Sequence, residues 1–178
     1  MNDQVTLVNE QDQVIGSMDK IEAHRWPAKL HRAISVYLFR RNAAGELELL
    51  IQQRSHKKIT GQGQWVNTCC GNVWPGETYL ECAHRRLRVE LGIAPIAITD
   101  VFHFTYQVQC NELFGENEID HVFVGFGDEP FQPNPDEVMA AKWIEWSQVR
   151  TQQPLAPWFE IMLNNQELVQ KIETAVSR

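Results

Sequence analysis

At 178 residues and 43% hydrophobic composition, the chain is long enough to fold as one domain around a core of its own. Its formal net charge of −7 argues against general adhesion to nucleic acid or an anionic membrane surface, though not against a small anionic substrate. No run of about eighteen apolar residues is present to span a bilayer.

In chain order, the start "MNDQVTLVNEQDQ" lacks a basic stretch followed by an apolar block, so no secretory leader is expected. "QVTLVNE" and "QVIGSM" alternate apolar and polar residues and predict a pair of strands. "AISVYLFRR" (33–41) and "LELLIQQR" (47–54) predict a second hairpin, with Gly45 supplying the turn. "TYLECAHRRLRVEL" (78–91) is the clearest helix. Leu80, Ala83, Leu87 and Leu91 form an apolar stripe, Thr78 and Glu81 a capping box, and Gly92 a stop. "VFHFTYQVQC", "IDHVFVGFG" and "AAKWIEW" predict further strands, and "PWFEIMLNN" and "QELVQKIETAVSR" two terminal helices. No repeat or linker divides the chain, so a single α+β layered domain over 1–178 is expected.

The four cysteines (69, 70, 82, 110) show no C-x-x-C pair and no framework spacing, which predicts reduced thiols in a cytoplasmic protein. Two basic clusters, Lys57 and Lys58 near Arg54 and "RRLR" at 85–88, are most often solvated faces. Screening beyond about 8 Å still lets such a cluster outweigh the total charge locally.

The helix and its approach, "GNVWPGETYLECAHRRLRVELGI" (71–93), resemble the Nudix signature G-x5-E-x7-R-E-U-x-E-E-x-G-U, where U is aliphatic. Gly71, Glu77, Arg85, Leu87, Glu90, Gly92 and Ile93 fit it; Arg86 and Val89 stand where that family has glutamates. The resemblance implies a Nudix-type mixed β-sheet layered with helices. Nudix hydrolases use the carboxylates of this helix to hold divalent cations, so the loss of two argues against ordinary phosphoanhydride hydrolysis. Glu90 can still hold one Mg²⁺ against a substrate diphosphate, or simply pair with Arg86 one turn earlier.

This eroded box, with further stretches between about residues 4 and 163, resembles the type 1 isopentenyl-diphosphate isomerase branch of the superfamily. "DKIEAHRWPAKLHRAIS" carries the paired histidines His24 and His31, and "RSHKK…WVNTCCG" leads to the catalytic cysteine, here Cys70. "TYQVQCNELFGENEIDHVF" carries Tyr106 and the Glu-x-Glu of Glu116 and Glu118, while "APWF" supplies Trp158. The resemblance implies reversible conversion of isopentenyl diphosphate into dimethylallyl diphosphate. That reaction adds a proton at one carbon and removes another from the far side, through a carbocation that water would capture. It therefore needs a dry site with an acid/base group on each face.

On this resemblance Cys70 is one acid/base group, and Glu118 with Tyr106 the other; Cys69 is a small buried hydrophobe. "ENE" alone is most often a turn, but on a strand both carboxylates point the same way and need a cation or a raised pKa. Trp158 supplies a ring face to the carbocation, worth about 2 kcal/mol when desolvated. Lys20, Arg54, Lys58 and Arg86 match the family's diphosphate-binding residues. His24, His31, Glu116 and Glu118 match its metal site, for Mn²⁺, Mg²⁺ or Zn²⁺, with a separate Mg²⁺ at Glu90. Pro27 between the two histidines argues against a helix carrying both, and predicts a loop entering the strand at "AIS".

The family completes its metal site with a histidine after Cys-Gly; this chain has Asn72. An amide oxygen is a weaker ligand than imidazole, so Zn²⁺ or Mn²⁺ affinity should fall and Mg²⁺ be relatively favoured. Either Asn72 serves as a poorer ligand, or His121 or His103 compensates, or the site has drifted into diphosphate binding with little turnover. A small-molecule diphosphate substrate, no nucleic acid or membrane partner, and a monomer or homodimer are the expected associations.

Overall fold

The computed structural model describes residues 4–177. Strands β1 (Gln4–Val8) and β2 (Val14–Asp19) form the predicted hairpin, followed by a short helix α1 (Lys20–His24) capped by the Asp19 side chain. Strands β3 (His31–Arg41) and β4 (Leu47–Arg54) make the second hairpin, its turn at Gly45 with φ 85°. Two short strands, β5 (Trp65–Val66) and β6 (Cys69–Asn72), precede helix α2 (Tyr79–Leu91). Strands β7 (Ile98–Gln109), β8 (Gly115–Phe126) and β9 (Val138–Glu145) and helices α3 (Pro157–Asn164) and α4 (Gln166–Val176) complete the order.

The nine strands form one mixed sheet around β3. β8 runs parallel to β3 from His31↔Glu118 to Phe39↔Phe126, while the other edge of β3 is shared by β1, β6 and β4. β3 and β4 pair only through Phe39–Arg41. Beyond that they part, and β6 lines β3 while β5 and β9 line β4. This parting opens the sheet beside the first half of β3.

β3 is buried from Ala33 to Phe39 because both its faces are covered. Its even residues Ile34, Val36 and Leu38 pack with Cys69, Cys82, Ala83, Leu87 and Leu91 under α2. Its odd residues Tyr37 and Phe39 pack with Trp158, Phe159, Met162, Leu168 and Ile172 under α3 and α4. Helix α2 has the predicted caps: Thr78 and Glu81 exchange hydrogen bonds, and Gly92 closes the helix at φ 67°. Leu80 departs from the expected stripe and is 44% exposed. Tyr79 packs against that core instead, and Cys82 and Glu90 join the buried face.

Candidate active site

The alternation of β6 separates the two adjacent cysteines. Cys69 is fully buried in the core under α2, as a small hydrophobe, while Cys70 and Asn72 face the other side. Cys70 stands opposite Ser35 of β3 on one edge of that strand, and Glu118 of β8 stands opposite His31 on the other edge. "ENE" therefore lies within a strand, and Glu116, Glu118 and Asp120 share one face. Lys20, Cys70, Asn72, Tyr106, Glu118 and Trp158 all line one cavity of about 200 Å³.

His24 ends α1 and His31 begins β3, their ring centroids 4.8 Å apart. His24 Nδ1 is 2.6 Å from the Lys20 carbonyl and His31 Nδ1 2.7 Å from the Lys29 carbonyl. Carbonyls only accept, so each Nδ1 carries a hydrogen, and when the ring is neutral its Nε2 presents a lone pair. His24 Nε2 lies 3.0 Å from Glu116 Oε2, and His31 Nε2 lies 3.4 Å from Glu118 Oε1. Glu116 Oε2 is buried with no hydrogen-bond partner among the described residues. Lone pairs facing carboxylates need a proton or a metal ion between them. One ligand atom from each of these four residues lies within 4.8 Å of the rest, so the donor set fits a divalent cation. Burial alone would lower the pKa of His24, but Glu116 outweighs it and the net shift is upward. His24 in turn holds Glu116 low against the opposing effect of burial.

Asn72 reaches the same cluster: its Nδ2 is 3.0 Å from His31 Nε2 and donates to Glu118 Oε1 at 3.3 Å. An amide flip exchanges that N–H for an oxygen ligand in the same place. His121 and His103 do not compensate. They project from the opposite sheet face, stacked 5.0 Å apart, with Tyr79 3.8 Å beyond His121. Thr60, which sequence reasoning passed over, donates to Glu116 Oε1 at 2.8 Å.

The Tyr106 hydroxyl donates to Glu118 Oε2. Burial, then the neighbouring Glu118, drives the Tyr106 pKa well above its usual value, so it remains a neutral donor. The Cys70 thiol is pushed up to about 12, by burial first and then by Asp120, so at neutral pH it carries its proton. Asp120, also buried and close to Glu118, is raised well above the carboxylate range. The Trp158 ring is 3% exposed and has the Arg54 guanidinium 4.9 Å from its centre.

The four basic residues converge beside the cavity. Burial, and then Lys58, Arg86 and Arg54, lower the Lys20 pKa to about 8, and Lys20 makes no ion pair with the described residues. Arg86 and Lys58 both bond Glu90 and Glu137, with Gln52 also donating to Glu90. Gly71 permits this, because a Cβ there would meet Arg86 Cγ at 2.4 Å. Arg85 and Glu77, both in the Nudix-like box, form a two-pronged ion pair, and Arg85 also bonds the Asn72 carbonyl.

Burial would raise the pKa of Glu90, but Lys58 and Arg86 overcome it and hold the group at about 2, against the usual 4.5. A depressed carboxylate stabilises above its unfolded pKa, and that contribution is lost as pH falls through the folded value. Glu90→Gln should therefore cost about 3 kcal/mol at pH 7, since breaking a buried pair strands its partners. The deficit should shrink toward pH 2. Urea midpoints across this range test it; a deficit that stays constant with pH would refute the pairing.

Comparison with known proteins bears on this arrangement. The NUDIX domain pattern matches residues 29–165. Isopentenyl-diphosphate Delta-isomerase of Pectobacterium atrosepticum is 39% identical over 163 residues, covering 89% of this chain and 88% of that protein. Isopentenyl-diphosphate Delta-isomerase 1 of Aromatoleum aromaticum is 43% identical over 150 residues, with coverage of 84% and 81%. Among solved structures, DR0079 from Deinococcus radiodurans aligns with a TM-score of 0.69 at 22% identity, covering 95% of this chain and 98% of that one. The NUDIX domain of Shewanella oneidensis NrtR aligns with a TM-score of 0.63 at 17% identity, covering 83% of this chain and 87% of that one. Likeness at those two identities speaks to the fold alone.

Proposed function

The chain belongs to the NUDIX family and to its isopentenyl-diphosphate Delta-isomerase branch, and from that premise we propose that it interconverts isopentenyl and dimethylallyl diphosphate by proton transfer between Cys70 and Glu118. The observation that carries this reading is the placement of those two groups. A protonated thiol and a Tyr106-bonded carboxylate enter one cavity from strands on opposite edges of β3.

Lys20, Arg54, Lys58 and Arg86 hold the diphosphate, which leaves the five-carbon chain in the part of the cavity lined by Cys70, Tyr106 and Trp158. Cys70 and Glu118 move the two protons and exchange roles when the reaction runs backward. Tyr106 keeps Glu118 oriented, and Trp158 and the surrounding core exclude water from the carbocation. His24, His31, Glu116, Glu118 and Asn72 would hold a divalent cation. When bound, it neutralises the paired carboxylates and fixes Glu118 in place. A second ion, Mg²⁺, would reach Glu90 with the diphosphate only if the phosphates drew Lys58 and Arg86 away from that carboxylate.

Incubation with isopentenyl diphosphate and Mg²⁺ should yield dimethylallyl diphosphate. Release of phosphate without the allylic product would favour hydrolysis instead, and binding with neither product would leave a diphosphate-binding protein.

Asn72 sets the metal affinity in this reading. Asn72→His should tighten Zn²⁺ or Mn²⁺ binding by about tenfold or more, as imidazole replaces an amide. Competition with a chelating dye measures this directly, and equal affinities for the two proteins would remove Asn72 from the site.

A further inference from the structure

Cys70 has two polar neighbours that the proposed chemistry does not yet use. Its Sγ is 3.1 Å from Asn67 Oδ1 and 3.6 Å from Ser35 Oγ, and Ser35 donates to Asp120 Oδ2 at 2.9 Å. Ser35, Asn67 and Asp120 are all essentially inaccessible to solvent. The amide of Asn67 cannot turn, because its Nδ2 donates to both the Val36 and Cys69 carbonyls at 3.0 Å. Its oxygen must therefore face the sulfur, where it only accepts.

The two neighbours thus have different uses. A thiol can donate to Asn67. A sulfur that has given its proton to substrate has nothing to donate, and facing Asn67 it meets only a carbonyl lone pair. Among the described hydrogen-bonding contacts of Cys70, only Ser35 can donate to that sulfur.

Resting on the isomerase reading above, we propose that Ser35, anchored by Asp120, is a positioning residue that holds Cys70 Sγ in place as its proton leaves and returns. The transferred proton passes between sulfur and substrate carbon. Ser35 keeps its own hydrogen and changes only direction, from Asp120 toward the sulfur. The sequence carried a hint of this, since Asp120 continues the every-second-residue acidic pattern of Glu116 and Glu118.

The test uses the full chain, metal-loaded, with isopentenyl diphosphate. Wild-type turnover comes first: if no dimethylallyl diphosphate forms, the isomerase reading itself fails. Given turnover, Ser35→Ala should lower kcat by at least about tenfold, as for other small misplacements of a reacting group. KM should stay within about twofold, because the cationic cluster that binds diphosphate is untouched. Ser35→Thr keeps the hydroxyl and should recover most of the rate. Asp120→Asn keeps an acceptor for Ser35 and should also retain most of it, which decides the matter if the threonine variant does not fold. A Ser35→Ala kcat within threefold of wild type overturns the proposal. So does an Asp120→Asn protein that melts like wild type yet is as slow as Ser35→Ala.

Discussion

Cys70→Ala should reduce formation of dimethylallyl diphosphate by roughly a thousandfold or more, within the range attributed to a positioned acid/base group. The argument is geometric first: the sulfur lines the cavity, and its strand register brings it beside Ser35 on the site face of the sheet. Protonation comes second, since burial keeps the thiol neutral, with its hydrogen, at neutral pH. Alanine removes that proton while leaving the cationic cluster as it was. Binding of inorganic pyrophosphate, followed by calorimetry, should therefore be nearly unchanged. Turnover within tenfold of wild type would show that another group transfers the proton on this side.

Glu118→Gln should be at least as damaging, because one side chain serves two purposes. In the proposed function it is the acid/base group on the other edge of β3, and it would also be a metal ligand together with His24, His31 and Glu116. Glutamine keeps the shape and can still accept from Tyr106, but it cannot take up a proton at useful pH. A loss of roughly a thousandfold or more in kcat is expected from the chemistry alone. Divalent-metal affinity should fall in the same protein, which separates this variant from Cys70→Ala. If metal binding weakens while turnover survives, Glu118 is only a ligand and the second acid/base group lies elsewhere.

Much of this was legible because it depends on local rules. The capping box of Thr78 and Glu81 and the stop at Gly92 are contacts between near neighbours, so helix α2 could be read from the chain. Glu116 and Glu118 obey the two-residue period of a strand, so their shared face was readable once β8 was assigned. β6 was not foreseen: the four residues Cys-Cys-Gly-Asn carry no period of their own, and the strand exists because β3 offers an edge. The same is true of Thr60 on Glu116 and of Ser35 between Cys70 and Asp120. Those contacts join residues distant in sequence, and nothing in a hydroxyl's local surroundings announces its partner. The stripe on α2 was read one residue too far, because Leu80 fits the spacing but its turn is covered by Tyr79.

The alternation of β3, one face toward α2 and the other toward the cavity, restricts how a chain like this can change. Adding or deleting one residue in β3, β6 or β8 would carry His31, Cys70 or Glu118 from the reacting side to the greasy one, along with everything beyond it. The turn at 42–46 has no such constraint, since its residues face solvent and feed neither core. Heritable variation at the site must therefore arrive as exchange of one side chain for another at fixed spacing. Asn72 sits at such a position: its side chain can be exchanged while Cys70 and Glu118 stay in step.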